Sequence, residues 1–236
     1  MLILLGPIKE KMNHNHRQYI IEKVSRQTRY SVGNIDVEIR IPFTSEINHK
    51  KVINNSLNKV PQHLLANIKN IVVGNFSFLK KRELDATFIE DTIFLSNDQI
   101  SEKDLSSDIF HEIAHSVESL HRGKIYSDKK IEREFINKRL SLFQKLSRAG
   151  YKVEKKDFEN IQYDKKFDMF LYKKITYSNL SQIASSLYIK PYSITSINEY
   201  FATAFEEFFM KKNVHKIKKI SPALYEKLIS LMDIQK

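Results

Sequence analysis

"IFHEIAHSVE", residues 109–118, decides how the rest of this sequence is read. It sets His111, Glu112 and His115 within two helical turns. Around them Leu105, Ile109, Ile113, Val117 and Leu120 recur at helical spacing and predict a mostly buried helix. On a helix, residues i and i+4 share a face, so His111 and His115 can each point an imidazole at one metal ion. Glu112, one residue along, can reach a water on that ion without ligating it. Chance gives this pattern in about two of a hundred such chains, so the spacing is a hypothesis that other residues must support. The competing reading is a core helix with two histidines whose ring nitrogens find partners elsewhere.

Composition narrows what else the chain can hold. There is no cysteine, which excludes disulfides, Cys-type zinc sites and a thiol nucleophile. Any metal must therefore be held by His and carboxylates. The 236 residues are 42% hydrophobic, with 15 Phe and 11 Tyr, which is a globular composition large enough to bury a core. A net charge of +11 favours acidic partners. The lysine pairs at 155–156, 165–166, 211–212 and 218–219 are broken up by apolar and acidic residues, the pattern of a solvated basic surface rather than a nucleic-acid stripe. Met1–Leu5 is apolar only as far as Gly6–Pro7, with no basic leader and no cleavage site, so no signal peptide is expected. No window reaches the ~18 apolar residues of a membrane span. A soluble protein is expected, cytoplasmic or released by an unconventional route.

Strands are expected early and helices late. Residues 12–30 read as a polar segment with a helix near Tyr19–Val24, and His14 and His16 within it read as solvated. Ile35, Val37, Ile39 and Ile41 alternate with Asp36, Glu38 and Arg40 in a half-buried strand that ends at Pro42, after a turn at Gly33–Asn34. Residues 45–68 carry helical spacing, with Pro61 starting a second helix. "NIVVGNF" (70–76) is a short buried strand, and "DATFIEDTIFLS" (85–96) a hairpin folded at Glu90–Asp91. Asp104 or Ser106 can cap the central helix, which should stop near Gly123. Further helices are expected over 128–149, over "SINEYFATAFEEFFMKK" (196–212) and after Pro222, with mixed helix and loop over 151–190. The class is α+β.

Two imidazoles need a third ligand. Downstream of His115 the oxygen and nitrogen donors include His121, Asp128, Glu132, Glu134, Asp168, Glu199, Glu206, Glu207 and His215. His121 falls on another helix face, and Glu132 and Glu134 are expected to face solvent. Glu199 opens the apolar run "EYFATAFEEFF" (199–209), where a carboxylate is costly to desolvate without a cation, and a metal would serve. Its alternative is an N-terminal helix Glu facing the dipole.

"HEIAH" followed downstream by "PYSITSINEYFATAFEEFF" (191–209) resembles the lethal-factor and Pro-Pro endopeptidase family of gluzincin metallopeptidases. That family carries a Tyr seven positions before the ligand Glu and a helix of the form E-[FY]-F-A-x-A-F. Tyr192 stands seven positions before Glu199, and "EYFATAF" fits letter by letter. The resemblance implies a zincin-like domain over 31–236, with a small mixed sheet and a mainly helical C-terminal half; the stretch from His115 to Glu199 is longer than in that family, so a helical insertion is expected around 124–190. Residues 1–30 would form a separate segment. It implies one Zn²⁺ per chain on His111, His115 and Glu199, with Glu112 as general base and Tyr192 donating its hydroxyl to an oxyanion. The implied activity is hydrolysis of peptide bonds in a peptide or protein substrate. Thr203 stands where an acidic residue is expected, leaving Glu118 or Glu206 to orient a ligand histidine. The edge of the 85–96 hairpin is open to strand addition by an extended peptide. Two rival expectations are a catalytically silent fold serving a larger assembly and, from charge alone, a nucleic-acid-binding protein.

Overall fold

The computed structural model describes residues 28–233. The helix expected at Tyr19–Val24 and the histidines His14 and His16 lie outside them. Strands β1 (Thr28–Val32) and β2 (Ile35–Ile39) form an antiparallel hairpin around Gly33, whose φ of 59° suits a residue without Cβ. β2 buries Ile35, Val37 and Ile39 as its alternation requires. β1 was not expected as a strand: Thr28, Arg29 and Tyr30, read as part of a polar segment, belong to the sheet. Tyr30 and Val32 pack against the core, and polar cross-strand pairs hold the strand on its other face. Arg29 meets Glu38 at 2.7 Å and Ser31 meets Asp36 at 2.7 Å.

Helix α1 (His49–Leu57) follows, its Asn48 side chain accepting from the Lys51 amide. Pro61 then starts only a 3-10 turn, Gln62–Leu64, rather than the expected second helix. That turn suffices to bury Leu64, Leu65 and Ile68 before the chain enters β3 (Asn70–Gly74). A short unexpected helix, α2 (Ser77–Arg82), leads to the hairpin of β4 (Ala86–Ile89) and β5 (Thr92–Ser96), which turns at Glu90, φ 58°. The sheet order is β1-β2-β3-β5-β4. The three inner strands run parallel, and β1 and β4 lie antiparallel at the two edges.

Helix α3 (Glu102–Tyr126) carries the HEIAH segment. Its cap is Ser101, whose hydroxyl accepts from the Asp104 amide at 3.1 Å, rather than Asp104 or Ser106. That start places Glu102 and Asp104 in the first turn, where the helix dipole favours them. The helix does not stop at Gly123. It breaks at His121 (φ −112°, ψ 19°) and resumes, and Tyr126 ties the last turn back to Glu118 by a 2.6 Å hydrogen bond. The break leaves Leu120, expected in the apolar stripe, 48% exposed.

Helix α4 (Lys130–Arg148) stops before Gly150, φ 85°. The segment behind it folds as α5 (Lys155–Glu159), α6 (Lys165–Met169), a π-helical turn at Phe170–Ile175 and α7 (Tyr177–Ile183). A 3-10 turn at Pro191–Ile194 leads into α8 (Ile197–Phe209), then α9 (Val214–Ile220) and α10 (Pro222–Met232). Glu134 on α4 does not simply face solvent: it accepts from the Tyr200 hydroxyl at 2.8 Å and from the Ala223 amide at 2.9 Å, joining α4, α8 and α10.

The fold is α+β, with a small mixed sheet and a mainly helical second half. Its core runs between the sheet and the α3–α8 pair, where Phe110 stacks on Phe209 with ring centres 5.8 Å apart. Each such buried aromatic contributes about 1.5–3 kcal/mol. Among the described residues, no helix is long and apolar enough to cross a membrane.

Candidate metal centre

Helices α3 and α8 bring together residues 88 positions apart in the chain. Ser196 caps α8, its hydroxyl accepting from the Glu199 amide at 3.1 Å. Ser196 and Glu199 have the spacing of a capping box, in which the Glu side chain would turn back to the Ser amide. Glu199 instead reaches α3. Its Oε2 lies 3.0 Å from His111 Nε2, and its Oε1 lies 3.7 Å from His115 Nε2. The two imidazole centres are 4.9 Å apart with their planes at 78°.

His111, Glu112 and His115 each present a ligand-type atom within 4.8 Å of the others, so this group can hold a metal ion. The donors are two imidazole nitrogens and carboxylate oxygens with no sulfur, a set that suits Zn²⁺ among other divalent metals. Glu199 lies outside that trio and divides its two oxygens between the two rings. Glu112 lies inside it but already has a partner. Its Oε2 accepts the Phe88 amide of β4 at 2.6 Å, which fastens the helix to the edge strand. The Nε2 atoms of both rings are thus turned to Glu199, while Glu112 is also bonded to the sheet.

A second layer of carboxylates backs the imidazoles. Glu118 Oε2 stands 3.7 Å from His115 Nδ1, and Glu206 Oε2 stands 3.7 Å from His111 Nδ1. Both carboxylates are fixed in turn. Glu118 Oε1 accepts from Tyr126 at 2.6 Å and from Asn198 at 2.5 Å. Glu206 Oε1 accepts from Lys190 at 2.6 Å and from Ser107. Thr203 takes neither place.

This layering sets the electrostatics. Burial opposes charge on His111, but Glu199 and Glu206 outweigh it and raise its pKa to about 10. His115 is raised in the same way, with Glu118 and Glu199 overcoming burial. Burial pushes Glu206 up, yet His111 and Lys190 prevail and hold it at about 2. The Glu112 carboxyl is pushed up by its burial, which the two imidazoles only partly offset. The centre thus concentrates negative charge around two rings, an arrangement that favours a cation between them.

Tyr192 lies on the Pro191–Ile194 turn. Its phenol is raised first by burial and then by the charges of Glu199, Asp168, Tyr163 and Glu112. Sequence reasoning missed its neighbours Tyr163 and Tyr177, whose hydroxyls donate to Asp168 at 2.9 and 3.0 Å. No periodicity marks them, because they sit on short helices and loops.

Three of the other ligand candidates are engaged elsewhere. Asp128 pairs with Lys227 at 3.0 Å, Glu134 holds Tyr200 and the start of α10, and Glu207 accepts from Asn213 at 2.7 Å. A comparison of the chain with protein-family models, with curated proteins and with solved structures finds no match.

Proposed function

We propose that this chain is a zinc-dependent endopeptidase of the lethal-factor type, with His111, His115 and Glu199 as metal ligands. The observation that carries this reading is Glu199: a carboxylate with the geometry of a local helix cap turns instead to the outer nitrogens of both histidines. A bound Zn²⁺ would supply a Lewis acid that polarises the scissile carbonyl and acidifies a water.

The chain's own residues supply the rest. Glu112 accepts the proton of the attacking water and returns it to the leaving amine. Burial favours this role by lifting its pKa towards the working range of a general base. The Phe88 amide holds one of its oxygens and leaves the other for the proton. Tyr192 donates its hydroxyl to the oxyanion as charge grows there. Its raised pKa keeps the phenol protonated and able to donate. β4 is an edge strand adjoining Glu112, and its unpaired backbone groups other than the Phe88 amide, which Glu112 takes, would receive an extended peptide lying across the centre.

Incubation with a diverse peptide library, read by mass spectrometry, tests the activity. The reading expects cleavage products that a chelator abolishes and added zinc restores, that are absent with Glu112→Gln and reduced with Tyr192→Phe. Zinc-loaded wild type that cleaves nothing which Glu112→Gln leaves intact would favour a silent zincin fold serving as a binding component.

A further inference from the structure

We propose that Lys190 is a positioning residue of this centre: it ties the turn bearing Tyr192 to the carboxylate that orients His111. The inference rests on the metal-centre reading above. Lys190 Nζ lies 2.6 Å from Glu206 Oε1 and 3.1 Å from Glu207 Oε1. These carboxylates are 4% and 2% exposed, whereas the lysine side chain is 40% exposed. Two adjacent buried carboxylates are unfavourable without a counter-cation, and Lys190 provides one charge to both. Lys190 and Ser107 hold the same oxygen of Glu206, which leaves Oε2 turned to His111 Nδ1.

Lys190 also begins the turn that carries Tyr192. Its carbonyl accepts from the Ser193 hydroxyl at 2.6 Å, and the Tyr192 carbonyl accepts from the Thr195 hydroxyl at 2.8 Å. Both hydroxyl residues are 1% exposed, so the turn is braced internally and anchored through Lys190. One ion pair therefore couples the ring orientation of a ligand histidine to the seat of a phenol on a different element. Without the lysine ammonium, Glu206 keeps only Ser107 and His111, and the turn loses its ion pair with α8.

The test compares wild type, Lys190→Met, Lys190→Arg, Glu206→Gln and the Lys190→Met/Glu206→Gln double variant. Zn²⁺ affinity is measured by chelator competition and ligand geometry by the visible absorption of bound Co²⁺. Lys190→Met is expected to lose about 10- to 100-fold in affinity, as other partners behind metal-bound histidines do, with a shifted Co²⁺ spectrum. Lys190→Arg is expected to restore most of both. In the Glu206→Gln background Lys190→Met is expected to add nothing, because it acts through that carboxylate. On any peptide the wild type cleaves, kcat falls while KM holds within about threefold. If Lys190→Met does not fold, Lys190→Gln, a neutral donor of similar reach, is expected to show the same loss at smaller size. Wild-type uptake of metal with an indifferent Lys190→Met, or an undiminished effect in the Glu206→Gln background, overturns this proposal alone. A wild type that takes up neither metal overturns the metal-centre reading and this inference with it.

Discussion

Glu118→Gln preserves side-chain shape and removes one charge from behind His115. Glu118 is 3% exposed and receives two donors on Oε1, Tyr126 at 2.6 Å and Asn198 at 2.5 Å, while Oε2 stands 3.7 Å from His115 Nδ1. A glutamine has one acceptor oxygen, and two donors already claim that position. Its NH₂ group must then face His115. Donor meets donor, and the neutral imidazole responds by carrying its proton on Nε2, the nitrogen that faces Glu199. That tautomer cannot ligate through Nε2. Loss of such a partner weakens metal binding by about 10- to 100-fold, which is about 1.4–2.8 kcal/mol. Competition with a chromophoric chelator near neutral pH measures it directly. The metal-free variant should also be less stable than metal-free wild type, since the carboxylate that pairs with a protonated His115 is gone; urea unfolding separates this loss from the first. A Zn²⁺ affinity within about threefold of wild type would refute the claim that Glu118 sets the tautomer of His115.

Removing the α8 cap by Ser196→Ala should cost about 1 kcal/mol of stability and weaken metal binding, because the same hydroxyl seats the Glu199 amide; thermal unfolding and chelator competition read the two effects. Arg139, 1% exposed, donates to the Asp157 and Asn160 carbonyls and lies 4.1 Å over the Phe167 ring, so it pins α5 and α6 to α4. A lysine reaches only one carbonyl, and Arg139→Lys should lose about 1.5–3 kcal/mol in urea unfolding. The pH dependence of metal stabilisation has a definite sign. His111, with its pKa raised to about 10, contributes stability to the metal-free chain that is fully present below about 6.5 and lost as pH rises towards 10. Zinc needs the ring deprotonated, so the gap between zinc-loaded and metal-free Tm should widen across that range. Lys138, which burial lowers to about 8, titrates in both forms and cancels in the gap. A gap that narrows with rising pH contradicts the charge assignment.

What the sequence made legible was what lies on regular helices. Leu105, Ile109, Ile113 and Val117 are all 0% exposed, so the stripe that marks α3 also places the two histidines on its remaining face. The Glu199 helix could be read because a carboxylate among Tyr200, Phe201 and Phe205 lacks an apolar reason to be there. The pairing of Ser196 with Glu199 could have argued for a plain helix cap, and only the three-dimensional approach of α8 to α3 decides between the two. Glu118 and Glu206 could be named but not matched to a ring, because that depends on which side of α3 the second helix passes. Elements held by polar or aromatic contacts were missed. β1 adds the Arg29–Glu38 and Ser31–Asp36 pairs to only two apolar contacts, Tyr30 and Val32, and α2 buries the single residue Leu79 while Phe78 packs on Phe76 and Phe94, ring centres 5.3 and 5.4 Å away. Asp168 was weighed as a ligand and instead gathers Tyr163 and Tyr177, an arrangement assembled from short helices with no periodic signal.

The central claim is a metal held by two histidines of α3 and one glutamate of α8. Elemental analysis of protein purified without chelator, for wild type and for Glu199→Ala, tests it most directly. The account predicts about one zinc per wild-type chain and a clear loss in the variant. A wild type that holds no zinc, even after zinc is added back, would contradict it and leave His111 and His115 as core histidines paired with buried carboxylates.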